Sequence, residues 1–187
     1  KTGLPVHVNA YFELSSNRRD IWFGGDMSGG GAARSEWNQA LLERVVAPAY
    51  ARLVAIAAAT LGPGPRFYDL LPRATPPPPW RVVVSTLCVA LADEKVIHTR
   101  ALGGKWITPR EATYPDAELE TNVDLRLALV DEGVLVADAP AAILDRFEEH
   151  AIADPTRASP NGARRMLREK GPTTRPRARV LTLLRYV

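Results

Sequence analysis

An α+β fold, with short mixed or antiparallel sheets covered by helices, is what this sequence predicts. Three observations carry the expectation. Strict period-two alternation runs from Leu4 to Leu14, apolar residues recur at helical spacing from residue 36 to residue 61 and again beyond residue 80, and a proline-rich stretch separates the two parts. The expected organisation is a strand–loop–long-helix unit at 1–61, a proline-rich connector at 62–79, and an α/β unit with basic C-terminal helices at 80–187.

In the first unit, Leu4, Val6, Val8, Ala10, Phe12 and Leu14 alternate with Pro5, His7, Asn9, Tyr11 and Glu13. Successive side chains of a strand point to opposite faces, so this spacing predicts a strand with one buried and one wet side. Ser15-Ser16-Asn17 ends it, because short polar side chains compete for backbone hydrogen bonds. Arg18 and Arg19 follow, then Asp20 to Phe23 as a second short strand and a flexible glycine loop from Gly24 to Gly31. That loop matches neither of the phosphate-cradling glycine patterns and reads as a plain turn. Ser35 predicts the N-cap of a helix from Glu36 to Leu61. Pro48 removes a backbone donor inside it and predicts a kink, and Gly62-Pro63 stops it.

The connector carries Phe67, Tyr68, Leu70 and Leu71, too apolar for a free linker and expected to pack down. Pro76 to Pro79 read as a stiff hinge, with a ligand for proline-binding modules as the alternative. Beyond it, Trp80, Val83, Val84, Leu87 and Leu91 mark a helix. Val96–Thr99 and Lys105–Thr108, turned by Gly103-Gly104, predict a hairpin. Leu119, Val123, Leu127 and Val130 predict one helix ended by Gly133, with a strand at Val134–Val136. Pro140 opens a helix containing Ile143, Leu144 and Phe147; Ser159-Pro160 caps another that ends at Gly171; Val180, Leu183, Leu184 and Val187 belong to the last.

The chain has 187 residues, 46% hydrophobic and 24% charged, the composition of a folded protein. No uninterrupted apolar run reaches the roughly 18 residues of a membrane span, so no membrane partner is expected. The opening Lys1-Thr2-Gly3-Leu4-Pro5 lacks a signal-peptide pattern and an initiator methionine, which predicts a piece of a longer polypeptide. Cys88 is the single cysteine, excluding an intramolecular disulfide and a CxxC zinc site. Its apolar neighbours predict a buried thiol, and a reducing compartment fits. The net charge of +3 divides into +8 over residues 157–187 and −5 over the rest. Such a basic end suits phosphate, an acidic partner, or acidic surface elsewhere in the same polypeptide.

No catalytic constellation is apparent. His7, His98 and His150 share no short spacing, and no HExxH or Cys–His arrangement occurs. Asp131-Glu132 and Glu148-Glu149 are adjacent on helices and point apart. The expectation is no catalytic residue, no metal and no cofactor held by this chain alone. Nucleic acid is a poor fit, because only Tyr186 lies among the C-terminal bases and single-strand binders interleave aromatics with charge.

Residues 2–12 (TGLPVHVNAYF) and 14–22 (LSSNRRDIW) resemble the segment that follows the ATPase region in sacsin repeats. Trp37-Asn38, Leu41-Leu42 and Val45 to Tyr50 continue the similarity. The likeness is greatest to plant and algal sacsin-like proteins. Gly103 to Ile107, Ala139 to Phe147 and Arg164 to Arg168 are weaker echoes. The resemblance implies a very large cytoplasmic chaperone of protein quality control, whose repeats begin with a nucleotide-binding domain not found in this sequence. It therefore implies a non-catalytic coupling or structural segment. Its partners are an upstream ATPase domain, neighbouring repeats of the same polypeptide, and client proteins or other chaperones. It also implies that Arg18 or Arg19 contacts ATP held by that upstream domain, as a basic residue does in related split-ATPase chaperones. The alternative for the loop is an arginine that pairs with Asp20 or caps the turn. The alternative for the chain is a stand-alone module whose basic C-terminal third contacts nucleic acid or an acidic protein.

Overall fold

The structure, a computed structural model, describes residues 2–16, 19–24, 30–170 and 176–187. It is α+β and mostly helical, with one two-stranded antiparallel sheet among the described residues. Two compact units share the chain: residues 1–92 with 140–151 form the first, and 93–139 with 152–187 the second. The stretch 62–79, expected as a connector, lies wholly within the first unit. Its Phe67, Tyr68, Leu71 and Pro76 are buried, so hydrophobic burial fixes it to the body of that unit. Gly3 sits against Pro76 at φ 75°, where an added Cβ would lie 2.9 Å from the proline ring. Only glycine allows that approach.

The first unit is built on a continuous helix. Helix α1 (Gly31–Leu41) passes through a π-helical turn (Leu42–Val46) into α2 (Ala47–Leu61). The helix begins five residues before the expected start. Gly30, left-handed at φ 86°, precedes it, and the Ser35 hydroxyl instead accepts the Gly24 N–H at 3.2 Å. The wide π turn lies just ahead of Pro48, whose missing N–H and bulky ring disfavour a regular turn there. Gly62, at φ 69°, ends the helix as expected. By length and composition alone Gly31–Leu61 suffices to cross a membrane. Here Leu42, Val46, Tyr50 and Val54 lie in the unit's core. Helices α3 (Pro65–Tyr68), α4 (Arg81–Leu91) and α7 (Ala141–His150) complete it, with Val83, Val84, Leu87, Leu91, Ile143 and Phe147 buried.

Residues 4–13 run against this helix with apolar side chains half-buried and the alternate ones exposed, so the predicted sidedness holds from Leu4 to Phe12 but fails at Leu14, which was expected on the buried face and is exposed. The predicted strands are not. Their pairing amounts to one antiparallel bridge, Leu14 to Ile21. Alternation specifies which side chains face inward, whereas a strand also requires a neighbouring backbone.

The second unit contains the expected hairpin, β1 (Ile97–Thr99) with β2 (Lys105–Ile107), in the register Ile97 to Ile107. Gly103 and Gly104, both at φ 87°, turn it. The helix expected over residues 119–130 is two, α5 (Ala117–Thr121) and α6 (Val123–Asp131). Asn122 breaks it by taking an extended backbone, and its side chain accepts the Leu125 N–H at 3.0 Å. The strand expected at 134–136 reduces to a parallel bridge between Thr113 and Val136. In α8 (Pro160–Lys170) the Ser159 hydroxyl accepts the Gly162 N–H at 3.1 Å, the expected cap; the expected end at Gly171 lies outside the described residues. Helix α9 (Arg177–Tyr186) buries Leu183 and Tyr186 among Leu119, Leu125 and Leu129.

The Tyr186 hydroxyl donates to Asp116 at 2.9 Å while the other oxygen of that carboxylate caps α5. Tyr186→Phe is expected to cost the second unit about 1 kcal/mol. A fall in its urea midpoint, followed through Trp106, is the measurement; an unchanged midpoint counts against this tether.

Candidate functional site

The loop carrying Arg18 and Arg19 is closed by a short ladder. The Ser15 N–H donates to the Asp20 carbonyl at 2.9 Å, and the Trp22 N–H to the Glu13 carbonyl at 2.7 Å. The Ser15 hydroxyl also donates to the Asp20 carbonyl at 3.0 Å. What holds both arms is Asn38, fully buried on α1. Its Oδ1 accepts the Glu13 N–H, and its Nδ2 donates to the carbonyls of Glu13 and Trp22, each at 2.8 Å. The Trp37 indole N–H donates to the Tyr11 carbonyl at 2.9 Å. Arg34 lies over the Trp22 ring, 5.4 Å from its centroid, and 3.9 Å from the Glu13 carboxylate. A buried amide that satisfies backbone from two segments rigidifies the base of the loop.

Arg19 and Asp20 are exposed in the loop, and Arg19 is engaged in an interaction of its own. Arg18 lies outside the described residues, as do residues 25–29 of the glycine loop. Sequence reasoning found the arginines but not Asn38. Its one signal was a polar residue at a position α1 must bury.

His7 is exposed on the extended segment, His150 ends α7 in the first unit, and His98 lies on β1 in the second. No group of three or more His, Cys, Asp or Glu among the described residues could hold a metal. A constellation that no spacing announced surrounds Asp138 in the second unit. Its carboxylate meets Arg100 at 2.9 Å, Arg126 at 3.6 Å and His98 at 3.7 Å, and its N–H donates to the His98 carbonyl at 2.7 Å. One carboxylate shared by two guanidinium groups ties β1 to the segment after α6. Its chemistry is that of an ion-pair clamp.

Cys88 is buried on α4, as expected. Burial pushes its thiol up to about 12; Arg146 nearby lowers it slightly and Glu149 raises it. A folded-state value above the unfolded one leaves this group's contribution to stability intact below about pH 9, and rising pH removes it through about 12. The native thiol is therefore expected to resist a disulfide reagent at pH 8 and to react on unfolding; prompt native reaction would contradict its burial.

The basic C-terminal third is partly occupied within its own unit. Arg179 pairs with Asp131, and Lys170 reaches the Glu132 carbonyl and carboxylate. Arg164, Arg165, Arg168, Arg177 and Arg185 remain exposed. Tyr186, the aromatic among them, is buried and cannot stack on a base.

Among curated proteins, human sacsin matches with 48% identity over 54 residues, which is 29% of this chain and 1% of sacsin. No family model matches, and no solved structure matches. The chain spans a very small fraction of the relative it matches, and it contains a sacsin-related region.

Proposed function

We propose that this chain is a non-catalytic structural and coupling segment of a sacsin-like chaperone, of the plant or algal kind its N-terminal motif resembles, acting in cytoplasmic protein quality control. In this reading it receives the nucleotide state of an upstream ATPase domain and passes it to neighbouring repeats or clients. The partial identity to sacsin supports the chaperone-related assignment. The observation that carries the coupling role is the arginine loop, whose base is held by the buried Asn38 amide at three points. A cation on a rigid mount can be presented to a phosphate with little reorganisation, and positive charge there stabilises phosphoryl transfer.

In a longer polypeptide that includes the upstream ATPase domain, Arg18→Ala or Arg19→Ala is expected to lower ATP turnover by about a hundredfold. The urea midpoint is expected to stay unchanged, since Arg19 is exposed. Full turnover in both variants would dispose of the coupling role. Tight ATP binding by the chain alone would contradict its non-catalytic character. The alternative, a nucleic-acid or acidic-protein module built on residues 157–187, is weakened by the internal pairing of Arg179 and Lys170 and by the burial of Tyr186.

A further inference from the structure

We propose that the outer face of α2, together with the extended segment beside it, is a docking surface for an extended acidic polypeptide segment with apolar side chains at alternate positions. Three observations within the first unit converge on it. Val45, Leu53 and Ile56 are 52%, 46% and 57% exposed, and Ala49 between them is also exposed. They form a helical stripe that leads into a groove of about 220 Å³ between Val6–Ala10 and the row Val45, Ala49 and Leu53. A contiguous apolar strip of this kind is a recognised mark of an interaction site.

Charge selects the occupant. From residue 44 to residue 68 the chain carries Arg44, Arg52 and Arg66 and no acidic residue. All three arginines are exposed, with no ion-pair partner among the described residues. Arg52 lies on the same face as Val45, Ala49 and Ile56, and Arg44 flanks it. Apolar surface flanked by Arg44 and Arg52 complements apolar side chains flanked by carboxylates.

Backbone chemistry then separates a polypeptide from an anionic lipid surface, which would share that charge preference. Along Pro5–Asn9 no backbone N–H or C=O is hydrogen-bonded within the described residues. Lipid tails cannot satisfy these groups, so burying them against a bilayer is costly. An extended peptide can pair with them as a strand adds to an exposed edge, placing its alternate side chains over Ala49, Leu53 and Ile56.

The whole chain should be titrated into a fluorescein-labelled peptide of alternating valine and glutamate, into the same peptide with lysine for glutamate, and into phosphatidylserine vesicles. Saturable binding of the acidic peptide is expected, at least about tenfold tighter than the lysine version. The double change Arg44→Glu and Arg52→Glu, and separately Leu53→Asp, should each weaken it by about tenfold or more at an unchanged urea midpoint. Equal affinity for both peptides, no binding, or indifference to these changes would overturn the proposal. So would binding to the vesicles in preference to the acidic peptide.

Discussion

Asn38→Leu is expected to cost the first unit about 3 kcal/mol or more. Leucine has the same number of side-chain heavy atoms and the same branch at Cγ as asparagine but provides neither donor nor acceptor. The Glu13 N–H and the Trp22 carbonyl, each satisfied by the Asn38 amide at 2.8 Å, would both be left without it. The Glu13 carbonyl suffers less, because it also accepts the Trp22 N–H at 2.7 Å. A stranded buried group costs about 1–3 kcal/mol, and the exposed position of Glu13 and half-buried position of Trp22 keep the sum nearer the lower end. Two readouts separate local from global damage. A lower urea midpoint in a Trp106→Phe background, where Trp22, Trp37 and Trp80 report only on the first unit, gives the magnitude. Faster exchange of the Glu13 amide reports release of the arginine loop. A variant that keeps both the midpoint and that protection would show that the amide is not what holds the loop. In the longer polypeptide the same change should reduce ATP turnover with Arg18 and Arg19 still present, as expected of a positioning residue.

Phe147→Ala is expected to cost the first unit about 3–5 kcal/mol. Phe147 is 1% exposed, on a helix separated in sequence from the rest of its unit by the 93–139 segment, and α7 packs on α4. Removing the ring leaves a cavity on the α7 side of its packing with α4 that neither helix can fill without moving off the other. The same tryptophan signal should report the loss. If that signal keeps its midpoint, residues 140–151 do not belong where the structure places them.

These two residues mark where sequence reasoning stopped. Phe147 is expected in a helix opened by Pro140, together with Ile143 and Leu144. Nothing in that spacing told which unit would bury them. Burial is a local property of a face, and the surface that covers it is supplied from elsewhere in the chain. Asn38 was quoted in the motif that resembles sacsin, yet its role stayed hidden, since its partners lie 25 and 16 residues away and are backbone atoms without a side-chain signature. The Asp138 clamp escaped notice for the same reason, with Arg100 arriving from 38 residues away.

The strands at the N-terminus teach the complementary lesson. Alternation at 4–13 predicted sidedness correctly and pairing incorrectly, because the apolar side chains found a helix to cover them before the backbone found a neighbour. In the long helix, by contrast, Gly62 stopped the run where expected, since a positive φ is a demand of the local chain alone.

By itself, then, the sequence determined the α+β class, the helix stops at Gly62 and Gly133, the Ser159 cap and the hairpin at Gly103-Gly104. All of these follow from periodicity and backbone freedom within a few residues. Tertiary structure alone decided that 62–79 packs into the first unit, that 140–151 returns to it, and that one buried amide holds the arginine loop. Those outcomes depend on which distant surfaces meet, and contacts across long stretches of chain leave no period in the sequence to read.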